Sequence, residues 1–124
     1  MKYNILILLL NVAILSSADV EPFDVKALEF HGKEKVRVLR LVGKLAGDKA
    51  VRNLTYGFEL IDANKKVVRT DRMYSTKGKE GVLFDKGFDG VICSIEVIDP
   101  LVVDGKIWFE EVTYVDGSKW TMPE

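Results

Sequence analysis

Apolar and polar positions alternate with a period of two through most of the chain. In "VRVLRLVGKL", Leu39, Leu41, Gly43 and Leu45 fall on one side and Val38, Arg40, Val42 and Lys44 on the other. In "NLTYGFELID", Leu54, Tyr56, Phe58 and Leu60 alternate with Thr55, Gly57, Glu59 and Ile61. Successive side chains of a strand point to opposite faces, so each segment reads as a β-strand with one face turned to a core. A first strand comes from "EPFDVKALEF" through Phe23, Val25 and Ala27, with the phase slipping at Leu28 toward Phe30. "VICSIEV" puts Val91, Cys93, Ile95 and Val97 on one face, with Ser94 and Glu96 on the other. "KIWFEEVTYV" changes phase midway: Ile107 and Phe109 lie on one phase and Val112 and Tyr114 on the other, which a β-bulge at Glu110 and Glu111 reconciles. No stripe of helical period is sustained beyond residue 18.

Turn-forming residues separate these segments. "LAGDKA" divides the second strand from the third, and "DANKK" leads from the third into "VVRTDRMYS". "TKGKEG" and "DKGFDG" bracket a short "VLF" strand. Asp104-Gly105 and Asp116-Gly117 offer the positive-φ positions that tight hairpins need. "VTYVDGSKWT" therefore fits a two-residue hairpin in which Ser118 to Thr121 returns beside Thr113 to Val115, Tyr114 comes near Trp120, and Pro123 stops further pairing. About seven short strands with turns between them predict an all-β fold, an antiparallel immunoglobulin-like β-sandwich, with a small barrel as the alternative.

The third strand and its surroundings resemble a known pattern. "FELID", Phe58 to Asp62, is similar to the F-x-L-Y-D signature of the FxLYD domains, with Ile61 where that signature has tyrosine. "LVGKL" precedes it and "DANKKVV" follows, so the likeness spans residues 38–69; it departs at Leu45-Ala46, where an asparagine usually ends the second strand. The resemblance implies a small extracytoplasmic β-sandwich without assigned catalytic residues. Read on its own chemistry, the motif places Phe58 and Leu60 in the core and Asp62 where a carboxylate accepts backbone N–H groups of the turn that follows.

The N-terminus reads as an address. Lys2 gives a positive start, Ile5 to Leu15 is apolar apart from Asn11, and Ser16-Ser17-Ala18 supplies small residues before Asp19. This is the layout of a cleavable signal helix over residues 1–18, and the apolar run falls short of the roughly twenty residues that a membrane-spanning helix needs. The expectation is an extracytoplasmic location, secreted or periplasmic, with no stable membrane span after cleavage. Residues 19–124 suffice for one domain with its own core. Cys93 is the single cysteine, so no internal disulfide exists to staple it, and its place in an alternating strand marks it as a small buried hydrophobe.

Catalytic motifs are missing from the sequence. His31 is the only histidine, in "FHGKEK", and reads as an exposed turn residue; no G-x-S-x-G elbow, H-E-x-x-H or phosphate-binding loop occurs. No metal-ligand or cofactor signature occurs either. Asp85, Asp89, Asp99 and Asp104 have no calcium-loop spacing and read as turn residues. Glu110 and Glu111 would share a site only on an irregular strand, and a carboxylate hydrolase built on them is the weakest reading. Asn53-Leu54-Thr55 is a glycosylation sequon.

Charge is close to balanced, at −1 overall, but unevenly placed. Lys65, Lys66, Arg69, Arg72, Lys77, Lys79 and Lys86 outnumber Asp71, Glu80 and Asp85, while the rest of the mature chain leans acidic. This predicts a basic edge suited to an acidic partner, or one simply kept soluble by its charges. Trp108, Tyr114 and Trp120 on one outer face would form a sugar-stacking platform. The sequence therefore points to a non-enzymatic binding module that holds a protein or cell-envelope component, not nucleic acid, through Lys65, Lys66, Arg69 and Arg72 or through the C-terminal aromatics; a carbohydrate-binding module is the alternative.

Overall fold

The computed structural model describes residues 21–33, 36–76 and 81–123, so the signal segment expected over residues 1–18 lies outside the described residues. Seven strands follow one another: β1 (Phe23–Lys33), β2 (Val36–Leu45), β3 (Val51–Asp62), β4 (Val67–Thr76), β5 (Asp89–Val97), β6 (Val102–Tyr114) and β7 (Lys119–Thr121). All pairings are antiparallel, and the strands form two sheets, ordered β1-β2-β5 and β4-β3-β6-β7. Among the described residues there is no helix, and none long and apolar enough to cross a membrane.

The inner faces carry the alternation read from the sequence. Leu39, Leu41 and Leu45 of β2, Leu54, Tyr56, Phe58 and Leu60 of β3, and Cys93, Ile95 and Val97 of β5 are all buried in one core. One end of the sandwich is closed by phenylalanines: Phe23 meets Phe84 edge-on at 5.4 Å and Phe109 at 5.0 Å, and Phe84 meets Phe88 at 4.4 Å. At the opposite end, Arg37 donates to the carbonyls of Asp99 and Val102, both at 2.8 Å, and so ties the crossing from β5 to β6 to the first sheet.

Bulges decide which residues point inward. The phase slip expected in β1 is present at Lys26: Phe23 and Val25 face Leu45 and Gly43, whereas Leu28 and Phe30 face Leu41 and Leu39. In β6, Thr55 pairs with Glu111 and Tyr56 with Phe109, so Glu110 is the extra residue. That single insertion lets Phe109 and Val112 both be buried, as the change of phase required. A bulge not foreseen lies in β5, where Leu41 pairs with Cys93 and Val42 with Val91. Ile92 turns into the core in place of Val91, which is exposed.

Three expected turns and strands are corrected. The "VLF" segment is no strand; it makes one bridge, Val51 to Phe84, because Val51 N–H donates to the Phe84 carbonyl while Leu83 and Phe84 N–H both return to Val51 O. Asp104-Gly105 is no hairpin turn but lies inside β6, where a Cβ on Gly105 would sit 2.5 Å from Leu39 Cδ2. The last hairpin has three loop residues, not two: Tyr114 N–H bonds Ser118 O, Gly117 N–H bonds Tyr114 O, and Gly117 takes φ 92°. Trp120 consequently stands opposite Val112, not Tyr114.

Candidate functional site

The outer face of the four-stranded sheet gathers the chemistry that the sequence scattered. Gly57 on β3 is the register partner of both Arg72 on β4 and Trp108 on β6, so these three form one row across the sheet. The indole lies directly over Gly57: a Cβ there would come within 2.5 to 2.6 Å of Trp108 Cε2, Cζ2 and Nε1. A glycine at this point of β3 is what lets a large ring lie flat on the sheet.

Glu110 fixes the ring in plane. Trp108 Nε1 donates to Glu110 Oε2 at 2.9 Å, and Arg72 Nε donates to Glu110 Oε1. The indole N–H, aided by the Arg72 guanidinium, holds the Glu110 carboxyl below the usual carboxylate range against the opposing effect of burial. The bulge turns Glu110 and Glu111 toward the same outer face, yet they do not work together: Glu111 lies 3.9 Å from Lys119 Nζ. Both carboxylates are thus neighbours of cations, Glu110 of Arg72 and Glu111 of Lys119.

Among the described residues the expected basic edge is divided, and its Lys77 and Lys79 lie outside them. Lys65 and Lys66 sit in the β3–β4 hairpin, where Asp62 Oδ1 accepts from Asn64 N–H and Lys66 N–H, each at 2.9 Å, as the motif implied. Arg69 and Arg72 are three residues apart on a strand and point to opposite faces. Arg69 places its guanidinium 5.2 Å from the Phe58 ring centroid and bonds Asp71 at 3.2 Å, while Arg72 turns outward to Glu110. The Arg72 N–H first, then Arg69, keep the Asp71 carboxyl low. A continuous cationic strip therefore does not exist among the described residues of β4.

The three aromatics are likewise not one platform. Trp108 faces outward, whereas Trp120 is 6% exposed and belongs to the core, its Nε1 without a partner among the described residues. Tyr114, on the inner phase beside Val51, is half-buried with Lys49 Nζ 5.3 Å from its ring. Tyr74, which the sequence reading passed over, is exposed on the outer face of β4, two residues from Arg72. Its position in an alternating strand is the signal that would have found it.

The remaining polar candidates have structural partners. His31 lies in β1, not in a turn, 3.1 Å from Glu29. Asp85 and Asp99 accept N–H groups of their own turns, Asp104 accepts from Gly105 within β6, and Asp89 pairs with Lys26 at 2.8 Å. Asn53 is half-buried on β3 and accepts a bond from Thr76 at 2.6 Å. Among the described residues no cluster of three His, Cys, Asp or Glu side chains could hold a metal ion. Comparison with known protein families, curated proteins and solved structures returned no match for the chain.

Proposed function

We propose that this chain is an exported, non-enzymatic β-sandwich binding module whose contact surface is the outer face of the four-stranded sheet around Trp108. The observation that carries this reading is the immobilised indole: one face rests on Gly57, the ring nitrogen is held by Glu110, and Glu110 is held by Arg72. A half-exposed tryptophan fixed on strands presents a large apolar surface at small cost in conformational entropy.

The non-enzymatic part rests on the carboxylates being committed to cationic neighbours and on the thiol being withdrawn. Burial pushes Cys93 up to about 12, so it stays protonated and unreactive. The immunoglobulin-like class is favoured by the strand order, which follows a constant-type sandwich except that the fourth strand joins β3 in place of β5. The FxLYD-like reading is favoured by Phe58 and Leu60 in the core and by Asp62 organising its hairpin. A partner in the extracytoplasmic envelope follows from the signal-like N-terminus.

The test is capture of envelope and secreted material on the immobilised chain and on its Trp108→Ala variant. Retention by the parent and loss by the variant is the expected outcome. Equal retention by both would remove the outer face from the function.

A further inference from the structure

Building on this binding-surface reading, we infer that the ligand is a neutral polysaccharide whose sugar rings stack on Trp108 and continue toward Tyr74. The argument begins with charge. Two cations on this face are paired, Arg72 with Glu110 and Lys119 with Glu111; Glu59 and Lys106 carry opposite charges at partnered register positions, and Asp104 accepts the Gly105 N–H. Among the described residues an anionic polymer would find no run of unpaired cations around Trp108, and a cationic ligand would find the nearby Glu110 and Glu111 already engaged. Such a face neither attracts nor repels strongly at long range, so it selects by shape and hydrogen bonding.

Shape then favours a flat ring that is apolar on its faces and polar at its rim. A pyranose presents C–H groups on its face, and these meet the negative face of an aromatic system favourably. Trp108 offers the ring surface opposite the one covered by Gly57, held so that nothing need be ordered on binding. At the rim, Arg72 spends only its Nε on Glu110; its terminal nitrogens make no hydrogen bond among the described residues, and its side chain is 71% exposed. Those donors suit the oxygens of a sugar hydroxyl or ring.

A second aromatic turns one ring site into a track. Tyr74 stands on the same face, opposite Thr55, two residues along β4 from Arg72. Thr70 lies two residues the other way, again on this face, opposite Glu59. Hydroxyls and one exposed phenol ring thus flank the indole along the strand, an arrangement for a chain of sugars more than for a single one.

Native gels containing soluble neutral polysaccharides (mixed-linkage glucan, xylan and glucomannan, with polygalacturonate as the anionic control) test this, followed by calorimetry with the matching hexaose. The expected result is retardation by at least one neutral polymer that persists in raised salt. Trp108→Ala should then lower the hexaose affinity by about tenfold or more. Trp108→Phe, which keeps a ring over Gly57, should retain part of it. Tyr74→Ala, at an exposed position that leaves the core intact, should weaken the hexaose more than the disaccharide. Retardation by none of the neutral polymers, retardation only by polygalacturonate and only at low salt, or affinity indifferent to both Trp108 and Tyr74 would overturn the assignment. If envelope material is nevertheless captured in a Trp108-dependent way, the saccharide inference alone falls; if capture ignores Trp108, the binding-surface reading falls with it.

Discussion

Gly57 and Trp108 face each other across β3 and β6, and the indole fills the space that any side chain at position 57 would need. Gly57→Ala should therefore displace the ring and destabilise the fold by about 1–3 kcal/mol, the usual cost of overpacking. In a Trp108→Ala background the same change should be neutral or stabilising, because glycine within a strand is otherwise a weak choice. Urea unfolding of the four chains of this cycle measures the coupling, and strict additivity would contradict the contact.

Glu110 makes the site acid-sensitive. Its carboxyl is held below 4.5 in the folded chain by Trp108 and Arg72, so its contribution is fully present above that value. It is lost as pH falls through the depressed folded value, because the unfolded state takes up the proton first. Glu110→Gln should cost about 1 kcal/mol at pH 7, and the gap between the two chains should close under acid. Denaturant midpoints measured from pH 7 down to pH 3 would show it.

Alkali acts on the core instead. Burial raises Tyr56 to about 12 and Cys93 to about 12, from 10.0 and 9.0. Both groups stay protonated in the folded chain after the unfolded chain has released its protons, so stability falls as pH rises above 9 for Cys93 and above 10 for Tyr56. Each contributes a slope of up to about 1.4 kcal/mol per pH unit. Cys93→Ala should flatten the decline, and a thiol reagent at pH 8 should label Cys93 only after unfolding.

Lys65 is the one non-glycine residue with positive φ among the described residues, at 65°. A side chain there costs about 1–2 kcal/mol, while glycine at the same place gives back about 0.4–1 kcal/mol through the freedom of the unfolded chain. Lys65→Gly should thus stabilise by up to about 1 kcal/mol, and Lys65→Val should destabilise. Thermal melts of the three chains separate these outcomes.

Strand phases were legible because burial of one sheet face leaves an unmistakable period of two. Leu39, Leu41, Leu54, Tyr56, Phe58 and Leu60 all point as that period demands. The bulge at Glu110 was legible too, since two apolar phases met there. The bulge in β5 was not, because Val91 and Ile92 are equally apolar and only the register with β2 decides between them. Trp120 sits in a strand of three residues, too short for alternation to assign a face. The division between Arg69 and Arg72 needed only their odd spacing on β4. The meeting of Arg72, Gly57 and Trp108 depends on register between strands distant in sequence, which no local pattern encodes.

The extra residue in β6 has a consequence for how this chain tolerates length changes. Removing one residue from a paired strand ordinarily sends everything beyond it to the wrong side of the sheet. Position 110 is an exception: with it gone, Phe109 and Glu111 would oppose Tyr56 and Thr55 in unbroken succession, leaving Val112 and Trp120 on the side they now occupy. A chain shortened at this site should keep its interior while losing the carboxylate that steadies Trp108, whereas shortening at Ile107 or Thr113 should scramble the sheet. The fold thus contains a detachable residue, and it is the one on which the indole depends.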